Sequence, residues 1–312
     1  MDRKLIFSPS PHIHRRRTTG RAMLHVLIAL VPAVACAIFY FGWRAAAVLA
    51  VSVTVCMATE WLITKYMLGR RTATLSDGTA LLTGVLLALN LPSSLPLWMV
   101  AAGAVMAIGI AKMAFGGLGC NIFNPALVGR VFLLISFPVA MTTWPLPGAD
   151  GATGATFLSL ANTDSADFAY TAGDMLAGNI PGSMGEVSAI ALIIGGIYLL
   201  ALRVIKIWIP LSIVAGLAAV DLLAGFPVGL DIISGGLLLG AIFMATDYVT
   251  SPMTVRAMIV YGLLIGIITA TIRRWGAYPE GMSFAILIMN GAVPLLDRYL
   301  RPRRFAPKIK PA

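Results

Sequence analysis

The chain has 312 residues, of which 59% are hydrophobic and 12% are charged, and its formal net charge is +10. A soluble domain usually carries about a quarter charged residues, so the composition excludes an ordinary water-soluble protein. Three cysteines and three histidines are too few and too scattered for a disulfide framework, a zinc site or a paired-histidine haem site. The Lys and Arg residues cluster beside apolar runs, which is typical of a membrane protein and argues against a nucleic-acid partner.

In chain order, the apolar runs predict about ten transmembrane helices, each near the length that crosses the hydrocarbon. Because a bilayer offers the backbone no hydrogen-bond partner, each run is expected to be helical. The first run follows a polar segment and begins too late to be a cleaved signal peptide. We place the helices at roughly 22–41, 44–65, 79–90, 95–112, 125–140, 187–203, 207–224, 232–245, 256–272 and 281–299.

The basic residues orient these helices, since cytoplasmic loops carry an excess of Lys and Arg. With the N-terminus inside, both termini are cytoplasmic. Every Lys and Arg then lies in or beside a cytoplasmic segment, except Arg44, Arg130, Arg273 and Arg274. The longest loop, 141–186, falls outside and contains acidic residues but no Lys or Arg. The predicted cytoplasmic loops are 66–76, 112–124, 203–206 and 246–255.

The long loop divides the predicted all-α polytopic protein into two halves of five helices. An odd number of spans makes the halves antiparallel, as in inverted-repeat transporter folds. The third helix of each half is short and is followed by a polar or proline-containing segment. Such breaks often mark a central site, although a short helix can also be packing filler. The predicted divisions are an N-terminal segment 1–21, a first five-helix repeat 22–140, an outer loop 141–186, a second five-helix repeat 187–300 and a basic tail 301–312.

The motif Gly-Gly-Leu-Gly-Cys-Asn-Ile-Phe-Asn-Pro at 116–125 precedes the fifth predicted helix. Asn124 is a preferred N-cap residue, and Pro125 suits the first helical position. A loop that cradles a phosphate is the alternative interpretation. No GK[ST] ending and no preceding strand support a nucleotide P-loop, so the helix start is favoured.

Four charged residues fall within or at the ends of the predicted helices, namely Glu60, Arg130, Asp221 and Asp247. A buried charge in a membrane protein normally faces the protein interior and has a partner. Arg130 is near enough to the cytoplasmic end of its helix to reach water by snorkelling instead. Asp247 lies where the eighth predicted helix ends and can simply cap or turn the chain. All four are candidates for a proton or sodium relay.

The outer loop contains Asp-Gly-Ala-Thr-Gly-Ala-Thr-Phe-Leu at 150–158. Asp-Gly starts a turn, and small residues keep a loop open, so a plain turn is the ordinary interpretation. The chemical feature of the segment is a threonine hydroxyl among Gly and Ala, accessible to a modifying enzyme.

These residues carry a family resemblance. Residues 150–158 resemble the D-G-x-[S/T]-G-A-T-x-L flavinylation sequence of a membrane family. That family comprises RnfD, from the Rnf electron-transport complex, and the related NqrB, from the sodium-pumping NADH:quinone reductase. The shorter N-terminus is more similar to RnfD, and Thr153 stands where the family often has Ser. Further blocks resemble the family in the same order, at 8–12, 80–84, 116–130, 182–186, 243–247 and 290–297.

The resemblance implies a fold similar to urea transporters and FMN attached through its phosphate to Thr156 by a flavin transferase of the ApbE type. Asp150, Gly154 and Ala155 belong to the same attachment motif. A second, non-covalent flavin (riboflavin in the quinone reductase) is implied between the helices, near the broken third and eighth helices. Further candidate cofactor-binding residues are Asn121, Asn124, Arg130 and Asp247.

The implied function is a flavin-carrying subunit in a bacterial inner (cytoplasmic) membrane, with the flavin loop on the periplasmic side. It would relay electrons between ferredoxin and NAD sites on the other Rnf proteins (A, B, C, E and G) and couple them to sodium or proton movement. No dinucleotide fingerprint occurs in this chain, so it holds no complete active site alone. The alternatives are the NqrB protein of the quinone reductase, or a solute channel that shares the fold.

Overall fold

The computed structural model describes residues 18–69, 77–148, 152–161, 171–276, 278 and 280–300. The described chain is mostly helical, as predicted. A departure from the all-α prediction is a short antiparallel strand pair inside the predicted outer loop. The helices are α1 Thr19–Leu62, α2 Thr79–Leu89, α3 Leu97–Val105, α4 Pro125–Ser136, α5 Pro138–Met141, α6 Phe157–Ala161, α7 Ala172–Ala177, α8 Ala189–Ala201, α9 Trp208–Ala224, α10 Val228–Ile233, α11 Leu237–Leu239, α12 Val255–Trp275 and α13 Met282–Tyr299. The strands are β1 Trp144–Pro145 and β2 Thr153–Gly154.

Three helices continue in wider, π-helical turns, which keep the chain helical beyond the α-helical part. These turns are Ile63–Met67 after α1, Met106–Met113 after α3 and Gly240–Met244 after α11. With them included, α3 covers the predicted segment 95–112, and α11 covers the end of the predicted segment 232–245.

Helix α1 is two arms joined at Gly42, whose backbone angles (φ 62°, ψ −147°) are not helical. Glycine has no Cβ and adopts positive φ readily, so it permits this corner. The far ends of the two arms, at Met23 and Glu60, lie near the same residues. Glu60 forms an ion pair with Lys112, which also donates a hydrogen bond to Thr79. Next to Thr79, a Cβ on Gly78 would lie 3.8 Å from Met23. The arms therefore fold back on each other and correspond to the first two predicted helices.

Two further predicted helices are interrupted. The fifth divides at Phe137 into α4 and α5, because Pro138 disfavours helical geometry in the residue before it. The eighth divides into α10 and α11 at Gly235 and Gly236, which both have positive φ (63° and 66°). The prediction of one continuous helix over 232–245 was therefore wrong.

Several helices are shorter than the runs of apolar sequence suggested, although α12 is longer. Thr19–Met67, which includes the corner at Gly42, and Val255–Trp275 are long and apolar enough to cross a membrane. Other apolar helices of the described chain have 10–17 residues; these are Thr79–Leu89, Leu97–Met113, Pro125–Ser136, Ala189–Ala201 and Trp208–Ala224.

Small residues let the helices approach closely, a packing mode common in membrane proteins. Helices α9 and α12 meet at Gly216 and Gly266, where an added Cβ would collide with the backbone of the facing helix. Helix α2 meets the second arm of α1 in the same way, because a Cβ on Gly84 would lie 2.7 Å from Val53 Cα. A core of buried apolar side chains from both halves of the chain surrounds these contacts.

The breaks in the two halves lie next to each other. Gly185 donates its backbone N–H to Leu89 O (2.7 Å), at the end of α2. A Cβ on Gly185 would lie 2.8 Å from Leu89 Cβ and 2.9 Å from Leu239, in α11. Segment 183–186, which leads into α8, therefore passes through the point where the broken helices meet.

Candidate functional site

Thr156 lies in the outer loop between strand β2 and helix α6; we call this segment, residues 153–158, the platform. Strands β1 and β2 pair Trp144 with Gly154, which carries the chain to Thr156 at the start of α6. The Thr156 side chain accepts a hydrogen bond from Ser159 N (3.4 Å) and is half-buried. The following residues, Phe157 and Leu158, are buried in a separate apolar cluster. The position of Thr156 is thus set by packing on both sides of it.

The other motif residues differ in their surroundings. Thr153 and Ala155 are exposed, and Asp150 lies outside the described residues. At Gly154 the chain passes close to Leu146 and Pro181, which an added Cβ would meet at 3.0 and 3.2 Å. A larger residue at Gly154 would therefore push the platform away from its support.

Thr156 lines a cavity of about 10 Å³, which is room for about one water molecule. Two acidic side chains, Glu186 and Glu280, line the same cavity and are only 6% and 4% exposed. Ser183 donates its backbone N–H to Glu186 Oε2 (3.4 Å), and the Trp144 side chain hydrogen-bonds the Glu280 carboxylate. Burial raises the pKa of both carboxyl groups, and the charge of Arg130 partly opposes this.

Arg130 lies inside the protein, so the snorkelling alternative was wrong. Its side chain is 4% exposed, and its Nη1 donates to Asn90 Oδ1 (2.7 Å). Asn90 caps the carboxyl end of α2, where unpaired carbonyl groups favour a positive charge. Arg130 also acts electrostatically on Glu186 and Glu280, so it links the end of α2 to the outer cavity.

A second group of buried charges adjoins this cavity at the end of α12. Arg273 and Arg274 pair with Asp231 at 3.2 and 3.1 Å, and Arg274 also pairs with Asp221 at 3.1 Å. Arg273 donates as well to the carbonyl oxygens of Ser234 and neighbouring residues in the break between α10 and α11. Arg273 and Arg274, two exceptions to the predicted charge distribution, are therefore neutralised inside the protein.

The other candidate residues gather at a separate cavity of about 60 Å³. Asn124 caps α4 as predicted, accepting from Ala126 N (3.1 Å), and donates to Met244 O (3.2 Å) at the end of the broken helix of the second half. Asn121 and Asp247 line the same cavity. The structure thus brings together Asn121, Asn124 and Asp247, and it places Arg130 nearer the outer cavity.

Lys112 also lines this cavity, and it forms an ion pair that the sequence did not reveal. Lys112 was assigned to a cytoplasmic loop, but it lies in the π-helical turns after α3 and is 2% exposed. Its Nζ contacts Glu60 Oε2 at 2.6 Å and Thr79 Oγ1 at 2.7 Å. The sequence left open whether Glu60 faces the interior or reaches water by snorkelling; it is 1% exposed and paired inside the protein.

Glu186 and Glu280 are the residues that sequence reasoning missed beside Thr156. Each is a single acidic residue just before an apolar run, in the segments that lead into α8 and α13. Both were assigned to segments between helices, where a hydrated carboxylate is ordinary. A usable signal existed only for Glu186, which lies within the block 182–186.

Comparison with known proteins gives a consistent result over nearly the whole chain. Residues 6–306 match the NQR2, RnfD, RnfE family. The D protein of a sodium-translocating ferredoxin:NAD⁺ oxidoreductase complex from Acetobacterium woodii is 43% identical, over 96% of this chain and 94% of the relative. The D protein of a proton-translocating ferredoxin:NAD⁺ oxidoreductase complex from Clostridium ljungdahlii is 38% identical, over 96% and 95%. The D protein of an ion-translocating oxidoreductase complex from Stutzerimonas stutzeri is 39% identical, over 93% of each chain.

Proposed function

Since the chain belongs to the NQR2, RnfD, RnfE family, we propose that it is the RnfD component of an ion-translocating ferredoxin:NAD⁺ oxidoreductase complex. Relatives named as the D component of such complexes cover more than nine-tenths of this chain. In the proposed role the protein relays electrons across the membrane, and the other Rnf proteins (A, B, C, E and G) hold the ferredoxin and NAD sites. The family also includes the quinone-reductase component, so copurification of these partners is the direct test of which complex contains the chain.

The proposed arrangement in the bacterial inner membrane is ten spans in two inverted five-helix repeats, similar to urea transporters. The adjacent breaks at the ends of α2 and α10 support the pairing of the two halves. Both termini would be cytoplasmic, and residues 141–186 would be periplasmic. Gly148 N donates to Tyr40 O (3.2 Å), which puts this loop beside the Gly42 corner, at the end of α1 opposite Glu60 and Met23.

We propose that FMN is attached through its phosphate to Thr156 Oγ1. The single observation that carries this is the half-buried hydroxyl on an anchored platform, within the flavinylation sequence. The fit is favourable because the Thr156 hydroxyl is only half-buried, while β1 and β2 hold the preceding residues. When bound, the flavin supplies electron transfer in single or paired steps. This chain's residues hold the attachment point and set the charge beneath it.

A matched pair of variants tests the attachment. The peptide that contains residues 141–186 should carry the mass of FMN minus one water when the protein is made in a host with an ApbE-type transferase. Thr156→Val should abolish the adduct, and Thr153→Val, on the exposed neighbouring threonine, should retain it. An unmodified wild-type peptide from such a host, or an adduct that survives in Thr156→Val, would contradict the proposal.

A second, non-covalent flavin stays a prediction. The cavity with Asn121, Asn124 and Asp247 lies between α2 and the broken helix of the second half. Its volume of about 60 Å³ is well below the ~300 Å³ or more of typical ligand pockets. The residues that line this cavity would therefore hold a flavin only if these helices moved apart.

A further inference from the structure

Glu186 and Glu280 converge on one cavity from distant parts of the chain. Glu186 precedes α8 and Glu280 precedes α13, yet both line the small cavity beneath Thr156. The Glu186 side chain passes between glycines, since a Cβ on Gly182 or Gly236 would lie 3.4 or 3.6 Å from its carboxylate oxygens. Both distances are ordinary van der Waals contacts, so the Glu186 carboxylate packs closely against these two backbone segments in the protein interior.

The buried charges around this cavity do not balance. Among the described residues, Arg273 and Arg274 are engaged in salt bridges with two aspartates. Arg130 remains to face both glutamates. The acidic members of the group are Asp221, Asp231, Glu186 and Glu280, and the basic members are Arg130, Arg273 and Arg274. The acids exceed the bases by one.

An excess buried charge is costly, and proteins relieve it by binding or releasing a proton. Asp221 and Asp231 are held in salt bridges with Arg273 and Arg274, whereas the two glutamates line the cavity beside Thr156. Burial, reinforced by the negative charge of Glu186, raises the pKa of Glu280 to about 7, against the opposing effect of Arg130 and Arg273. Burial also raises the pKa of Glu186. Since the two carboxyl groups interact, the titration belongs to the pair.

We propose that Glu186 and Glu280 share one proton and form a proton-exchange site beneath Thr156, which binds a further proton when the group on Thr156 is reduced. The coupling to reduction rests on the proposed attachment of FMN, whereas the shared proton does not. Each electron supplied by the partner proteins adds one negative charge beside the cavity. One carboxylate of the pair then takes one H⁺ from the outer aqueous phase and becomes a carboxylic acid, so the added charge is neutralised.

Among the described residues, several charged and polar groups face the pair. Arg130 comes from α4, Arg273 from α12, the Thr156 hydroxyl from the platform and the Trp144 side chain from β1. Asp231 reaches the pair through its salt bridge with Arg273. The arginines are charged throughout the accessible pH range, so the glutamates are the described groups of this cavity that can change charge near neutral pH.

Infrared spectroscopy tests the shared proton without any flavin. The assembled complex that carries Thr156→Val should show a protonated-carboxyl absorption near neutral pH that disappears as the pH is raised. Glu280→Gln and Glu186→Gln should each remove this titrating absorption, and Asp174→Asn, an acid of the same outer loop with no part in the cavity, should keep it. Absence of a titrating carboxyl absorption, or its persistence in both Gln variants, would overturn the inference.

The coupling is tested by the reduction potential of the flavin on Thr156 in the complete complex. One proton bound per electron gives a potential that falls 59 mV for each tenfold fall in proton concentration. Glu280→Gln should make the potential less dependent on pH than in the wild type, with Asp174→Asn as control. Equal slopes would refute the coupling even if the FMN adduct is present. If the FMN adduct is absent but the titrating carboxyl absorption is present, the proposed attachment is refuted, whereas the shared proton of Glu186 and Glu280 is supported.

Discussion

The ion pair between Lys112 and Glu60 is expected to dominate the stability of the inner end of the helical body. The two atoms in contact are 2.6 Å apart, and their residues are 2% and 1% exposed. Removing one partner leaves the other charge buried without compensation, which destabilises a protein by about 3–5 kcal/mol. Lys112→Met keeps the approximate volume of the side chain and removes only the charge and its hydrogen bonds. Thermal unfolding of the detergent-solubilised protein, followed by tryptophan fluorescence, should therefore show a lower Tm for Lys112→Met than for the wild type.

The double variant Glu60→Gln/Lys112→Met tests whether the loss of stability in Lys112→Met comes from the unpaired Glu60 carboxylate. Its stability should exceed the value expected from adding the two single effects, because it leaves no unpaired charge. Lys65→Met is the matched control, since Lys65 is exposed at the same end of α1 and its Nζ lies over the rings of Trp61 and Tyr66. A Lys112→Met protein as stable as Lys65→Met, or additive effects in the double variant, would refute the reasoning.

Two further predictions concern stability. Because the pKa of Glu280 is raised from its usual 4.5 to about 7, the folded protein binds this proton more tightly than the unfolded chain, and stability should fall as the pH rises through that window. Glu280→Gln should flatten the fall and be more heat-stable above pH 7 by up to about 3 kcal/mol; a Tm profile parallel to that of the wild type would contradict this. Gly266→Ala should destabilise strongly, since a Cβ there would collide with Ile213 O and lie 2.7 Å from Leu217 N, whereas Gly229→Ala, with no atom within 4 Å, should not. Equal Tm values for these two variants would contradict the packing argument.

The positions of the helices could be predicted because long apolar runs leave the backbone few alternatives in a bilayer. The start of α4 is the clearest case. Asn124 and Pro125 carry local capping chemistry, and both take the predicted roles. The corner at Gly42 lies where the first two apolar runs were separated, so a local signal again sufficed.

The break between α10 and α11 shows where local reasoning stopped. Gly235 and Gly236 adopt positive φ, yet a pair of glycines in an apolar run is also compatible with close helix packing. A tertiary contact stabilises the break: Arg273, which lies far along the chain in α12, donates hydrogen bonds to the carbonyl oxygens that the break exposes. No feature of the local sequence contains that contact.

The charged sites were the least predictable part for the same reason. Lys112 lies next to a glycine-rich loop, and its sequence position favoured a solvated loop residue. Its partners, Glu60 and Thr79, come from two other helices. Rules that count charges beside apolar runs can locate a basic residue near one end of a helix, but they cannot tell whether the side chain points into water or into the protein.

The two ends of the molecule differ in how their buried charges balance, and this difference favours the outer end as the place of proton exchange. At the inner end, Glu60 and Lys112 neutralise each other in a buried ion pair. Beneath Thr156, by contrast, Glu186 and Glu280 share the influence of one arginine that is not already paired with an aspartate. A proton added there reduces the excess of buried charge without breaking an ion pair, and it does so at the cavity that Thr156 lines.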